Sequence, residues 1–180
     1  MSAFEYVFTF YSLVLGLAAA NVVTGFADMW RERSRIAVGI CVPLVALSLL
    51  VGIMNAWVTY WQNGASVEMG PSRMIGSALI ALPYVFASKV MFPAPGEAAS
   101  LEDHYFAHRR VLLLALAAPP LVGRVFAWMA TGQFVQPGLE ALYFNARIAI
   151  PLLLLLAPGK LINRLGLGVL LVVLIAGLFR

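Results

Sequence analysis

Long apolar blocks separated by short polar breaks run the whole length of the chain. Blocks of about 17–25 residues recur, and each is long enough to cross a hydrocarbon layer of about 30 Å as an α-helix. The pattern predicts six spans, at 4–27, 36–61, 74–92, 111–129, 139–157 and 161–179. The sixth is the weakest. Its uninterrupted apolar stretch begins only at Leu165, so it spans if Arg164 snorkels to the headgroups. The alternative is five spans, with the tail after Pro158-Gly159 re-entrant or interfacial. The expected fold class is therefore all-α: a polytopic helical membrane bundle with six transmembrane helices (alternative five), forming a single transmembrane domain over 1–180.

Polar positions inside the apolar blocks are ordered. In the first span Glu5, Thr9, Ser12, Gly16, Ala20, Thr24 and Asp28 follow at steps of three or four, which is one slowly winding helical face. Phe4, Val7, Phe8, Tyr11, Leu15, Val22 and Phe26 lie opposite. The second span carries Ser48, Gly52, Asn55 and Thr59, and the third Ser77, Ala81, Tyr84 and Ser88. Lipid tails cannot satisfy hydroxyls, amides or charges, so these faces are expected to turn toward other helices or a hydrated cavity. Small residues at four-residue spacing also let backbones approach. The first two helices are expected to pack through their small-residue stripes. For the Ser, Thr, Gly and Ala members, packing is the favoured role over a lined pathway.

Composition agrees with the pattern. Of the 180 residues 62% are hydrophobic and 11% charged, outside the range of ordinary soluble domains. Mean hydropathy is +0.92. The net charge of +4 does not point to nucleic acid, because the basic residues sit at the ends of apolar blocks. One set of connections holds Arg31, Arg33, Arg35, Arg109, Arg110, Lys160 and Arg164; the other holds Arg73, with Arg180 at the terminus. The positive-inside rule places the first set in the cytoplasm and both termini on the non-cytoplasmic side. The longest connection, at about 93–110, is then cytoplasmic, and its second half is expected to be helical and to lead into the fourth span. Trp57, Tyr60, Trp61 and Trp128 would mark the outer interface, and Trp30, Tyr105 and Phe106 the inner one. The first block is read as a retained span rather than a signal peptide, since Glu5 and no Lys or Arg precedes Leu17-Ala18-Ala19-Ala20. The lone Cys41 says nothing about redox compartment.

The ionisable and amide residues within the blocks are the candidate site. Glu5, Asn55, Arg124, Glu140, Asn145 and Arg147 fall in the outer half of this topology, and Asn21, Asp28 and Lys89 near the cytoplasmic end. Glu140 and Arg147 are seven apart, with Tyr143 and Phe144 between them. An arginine facing lipid costs about 2.5–3.5 kcal/mol on insertion scales, so Arg124 and Arg147 should face a carboxylate, a carbonyl or water. A structural network with Glu5 and Glu140 competes with a polar pocket for an anion or a proton path. Asp28 and Lys89 are at comparable depth and can pair. Pro43, Pro83, Pro119-Pro120 and Pro151 interrupt spans, each able to free a carbonyl one turn earlier. His104 and His108, four apart on a helix, are a weak candidate for a transition metal, with Glu102 and Asp103 as added oxygen ligands. An amphipathic segment at the headgroups explains the same residues.

No catalytic residues are identified: there is no nucleophile elbow, no phosphate-binding glycine loop and no intramembrane histidine for haem. Three function classes remain. The first is a small transporter or channel moving an ion or small, possibly anionic, solute through a polar intramembrane cavity. The second is a non-catalytic subunit or assembly factor of a larger membrane complex. The third and least favoured is a metal-dependent membrane enzyme. No cofactor is expected beyond the weak metal site. Expected partners are the lipid bilayer and either further copies of the chain or a membrane complex. The chain has the character of small polytopic proteins of the bacterial inner membrane.

Overall fold

The computed structural model describes residues 2–64, 70–94, 100–132 and 138–179, apart from the side chains of 63–64, 130–131 and 139–140. Among these residues lie six α-helices: α1 (Ala3–Glu32), α2 (Cys41–Gly64), α3 (Pro71–Val90), α4 (Leu101–Thr131), α5 (Leu139–Leu156) and α6 (Lys160–Gly177). No strand occurs among the described residues; a lone bridge joins Ala37 to Ser100. Among the described residues five helices are long and apolar enough, by length and composition, to cross a membrane. The C-terminal α6, which the sequence marks as weakest, is 18 residues long and is one of them; α5 is also 18 residues long, and its described apolar part is Ala141–Leu156. The all-helical, apolar architecture is compatible with an integral membrane protein.

Local chemistry fixes the helix ends. Ser2 and Glu5 form a reciprocal capping box on α1, with Ser2 N donating to the Glu5 carboxylate at 2.8 Å and Glu5 N to Ser2 Oγ at 3.2 Å. Pro71 opens α3, where a missing N–H costs nothing. Ser100 caps α4, and Gly132 ends it at a left-handed φ of 69°. The α4 helix takes in 101–110, as its sequence leads one to expect. Residues 36–40, assigned above to the second span, are not helical. Helix α2 begins at Cys41, so Pro43 lies in the first turn and interrupts nothing.

The helices pack in the cyclic order α1–α3–α4–α5–α6–α2, and α2 also touches α3 and α4 across the middle. The inward stripes of α2 and α3 are as expected: Ser48, Asn55, Ser77, Ala81, Tyr84 and Ser88 are buried, although Thr59 is exposed.

Helix α1 reverses the expectation. Val7, Tyr11, Leu15, Ala18 and Val22 face the core, while Glu5, Thr9, Gly16, Ala20, Thr24 and Asp28 are exposed. Nor do α1 and α2 meet through small-residue stripes. They meet through aromatic stacking, with Tyr11 on Tyr60 at 4.6 Å and Phe8 on Trp57 at 6.2 Å between centroids. Trp57 Nε1 also donates to Ser12 Oγ at 2.8 Å. In lipid there is no hydrophobic drive between helices, so contact area decides which face turns inward, and the bulky face offers more of it. The threonines tolerate the outside because they are satisfied locally. Thr9 Oγ1 donates to the Glu5 carbonyl at 2.7 Å and Thr24 Oγ1 to the Ala20 carbonyl at 2.9 Å.

At one end of the bundle the 31–40, 100–110 and 157–164 segments come together. Leu101 N donates to the Ala37 carbonyl at 3.0 Å. The buried Glu102 carboxylate accepts Ile40 N at 3.1 Å, Cys41 N at 3.4 Å and Arg164 Nε at 3.1 Å, which caps α2 from a distant helix. Gly39, at φ 56°, is held against Glu102, where a Cβ would collide with the carboxylate. Tyr105, expected at the interface, is fully buried instead, and its hydroxyl donates to Asn163 Oδ1 at 2.8 Å. The Asn163 amide in turn donates to the carbonyls of Ala157 at 2.6 Å and Gly159 at 2.9 Å, closing the α5–α6 turn.

Candidate functional site

The middle of the bundle holds a second polar group, centred on α5. Tyr143, Phe144 and Arg147 lie within one turn of that helix. Arg147 is 7% exposed. Its guanidinium lies 5.3 Å from the Tyr143 ring centroid and 6.0 Å from that of Phe144. Arg124, half-buried on α4, lies 5.6 Å from the same Phe144 ring, so two cations from neighbouring helices share one aromatic side chain.

Arg147 Nε is buried and has no hydrogen-bond partner. The ion pairs among the described residues are Asp28–Arg31, Asp103–Lys160 and Glu102–Arg164; none involves Arg147. Cation–π contact contributes about 0.5–2 kcal/mol. Desolvating an ion costs several kcal/mol. The rings alone therefore do not balance the burial of this charge.

The space in front of Arg147 is a small cavity of about 10 Å³, room for about one water molecule. Five helices line it: Ser48 and Gly52 from α2, Tyr84 from α3, Leu116 from α4, Arg147 from α5, and Leu170 and Leu174 from α6. Ser48 Oγ is also buried without a partner. Tyr84, beside the guanidinium, donates its hydroxyl to the Gly52 carbonyl at 3.2 Å. A Cβ at Gly52 would press on the Tyr84 ring at 3.1 Å, so the glycine makes that contact possible. Pro151, buried one turn beyond Arg147, has no N–H to offer the Arg147 carbonyl. The cavity thus combines a permanent cation, an unengaged hydroxyl and leucine walls.

Asn55 adjoins this centre but is fully used. Its Nδ2 donates to the carbonyls of Val51 at 2.9 Å and Leu174 at 2.8 Å, and its Oδ1 accepts from Tyr143 at 3.1 Å. Gly177 allows this approach, since a Cβ there would strike the Tyr143 hydroxyl. The remaining candidates lie apart from the centre. Glu5 sits in its capping box, and Asn145 is exposed. Asp28 pairs with Arg31 at 3.5 Å rather than with Lys89, and Lys89 is exposed. Asn21 donates to Ser88 Oγ at 3.1 Å and ties α1 to α3. The side chain of Glu140 lies outside the described residues.

His104 Nε2 lies 3.0 Å from the Val90 carbonyl, and His108 Nδ1 lies 3.1 Å from the His104 carbonyl. The two rings are neighbours, 4.4 Å apart. No group of three or more His, Cys, Asp or Glu able to hold a metal occurs among the described residues. A wider, open depression of about 380 Å³ lies nearby, lined by Phe106, Ala107, Arg109, Arg110 and Pro158. Arg109 there already donates to the Ala157 carbonyl at 3.1 Å.

Sequence reasoning singled out Arg147 and placed Ser48 and Tyr84 on inward stripes, but did not join the three. It missed Asn163 altogether; a polar residue flanked by Pro158-Gly159 and an apolar helix was the available signal. No family model matches the chain, and neither a curated protein nor a solved structure matches it.

Proposed function

We propose that this is a small membrane transporter or channel that moves an ion or small anionic solute past Arg147. The observation that carries the reading is a cation buried among five helices with no ion-pair partner among the described residues. Buried charges are ordinarily paired, and an intramembrane charge without a protein partner marks a solute path. In this reading Arg124, across Phe144, is the neighbouring station. Both termini lie on the non-cytoplasmic side of a bacterial inner membrane, with the Arg31–Arg35, Arg109–Arg110 and Lys160–Arg164 end in the cytoplasm. Purified protein in sealed vesicles should carry an anion flux, read with an anion-quenched dye, and Arg124→Gln with Arg147→Gln should reduce it at least tenfold. Flux unchanged in the double variant would remove the reading.

A second reading rests on a different observation. The exposed Thr9, Gly16, Ala20 and Thr24 of α1 offer another chain a surface for close helix approach. That is what a subunit of a larger membrane complex, or a protomer of a homo-oligomer, would present. Mild solubilisation followed by mass measurement of the native particle separates the two: a heteromeric particle favours the subunit, and a homo-assembly the transporter.

A further inference from the structure

We infer that the Arg147 cavity binds a single monatomic halide ion. The inference rests on the transport reading and names the class of solute at its site. Three properties of the cavity converge on that ligand.

The first is the hydrogen-bond inventory. Arg147 Nε–H is a donor with nothing to donate to, and Ser48 Oγ is a hydroxyl with no partner. Guanidinium has no acceptor, and a hydroxyl rotates to donate where an acceptor is offered. The Tyr84 hydroxyl hydrogen is already committed to Gly52. The vacant position is therefore one that an acceptor fills.

The second is charge. Arginine stays protonated even when buried. Glu102, Asp28 and Asp103 pair with Arg164, Arg31 and Lys160, and Glu5 serves its cap. A monovalent anion neutralises Arg147 one to one and turns two orphan donors into charge-assisted hydrogen bonds. A water molecule satisfies the donors but leaves the charge unbalanced.

The third is size. A cavity of about 10 Å³ admits one water-sized body. Fluoride is of that size, chloride and bromide fit only if the leucine walls yield, and the polyatomic sulfate, phosphate and carboxylates are larger still. Leu116, Leu170 and Leu174 complete the wall and offer no further donors.

The test uses the whole chain in lipid nanodiscs in sodium gluconate, titrated with sodium fluoride, chloride, bromide or sulfate. Thermal unfolding is followed by tryptophan fluorescence, because a ligand bound only to the folded state raises the midpoint with saturation. A saturable rise with a halide and none with sulfate is expected. Ser48→Ala should weaken the halide about tenfold, as loss of one hydrogen bond to a charged group does, and Arg147→Gln should abolish the response. The wild-type and Ser48→Ala titrations keep the test valid if Arg147→Gln does not fold. Equal effects of sulfate and halide, no effect of any, or wild-type affinity in Ser48→Ala would each overturn the site. So would a halide response that appears only in Glu140→Gln, since that would make the Glu140 carboxylate the resident counter-ion. Halide binding without vesicle flux leaves the site and removes the transport reading; flux without halide binding does the reverse.

Discussion

Two polar clusters lie inside this bundle, and they differ in completeness. Around Glu102 and Asn163 the polar groups are engaged: the carboxylate takes two backbone N–H groups and Arg164, and the Asn163 amide takes Tyr105 and two carbonyls. Around Arg147 the cation and Ser48 keep unused donors beside a void. Complete satisfaction holds a fold together, whereas two orphan donors at one cavity ask for something from outside. The same polar chemistry thus serves structure at one end and, in the reading proposed above, a solute in the middle.

Breaking the first cluster should have the largest effect. Glu102→Ala orphans the buried Cys41 N–H, the part-buried Ile40 N–H and a partner arginine, at a cost of about 2–4 kcal/mol, tempered because Ile40 is exposed and Arg164 is 41% exposed. Reversible unfolding in mixed micelles measures it; a change below about 1 kcal/mol would mean the latch is ornamental. Asn163→Leu should cost somewhat less, about 1–3 kcal/mol, by stranding the Tyr105 hydroxyl and the Ala157 and Gly159 carbonyls. Its signature is earlier protease cleavage at the α5–α6 turn. The smallest effect on stability is expected at the second cluster. Arg147→Met fills similar volume without a charge, so in halide-free buffer the fold should change by less than about 1 kcal/mol, or gain. A loss of several kcal/mol in Arg147→Met would show that the arginine is already paired, and the contrast between the clusters would collapse.

Much of the architecture was legible because apolar length and helix period are local properties. All six helices, the inward faces of α2 and α3 and the prominence of Arg147 came from spacing alone. What escaped depends on distant partners. Residues 36–40 leave the helix because Ile40 and Cys41 give their N–H groups to Glu102, some sixty positions away. The inversion of α1 escaped for another reason: Thr9 and Thr24 bond back to their own helix, so exposure does not leave them unsatisfied. The rule that polar residues turn inward holds for the buried Asn55 and Ser48 and lapses for hydroxyls that have a carbonyl one turn behind them. The cavity itself escaped because it needs five helices at once, which no single stretch of sequence records.

The Asn55 amide has a consequence for biogenesis. It reaches a carbonyl on α2 itself and another on α6, 119 positions later. While the ribosome is still making the intervening helices, that second acceptor does not yet exist, and the flank of α2 that α6 will cover lies open. The nascent protein must pass through a stage in which that flank of α2 is uncovered and its centre is unsealed.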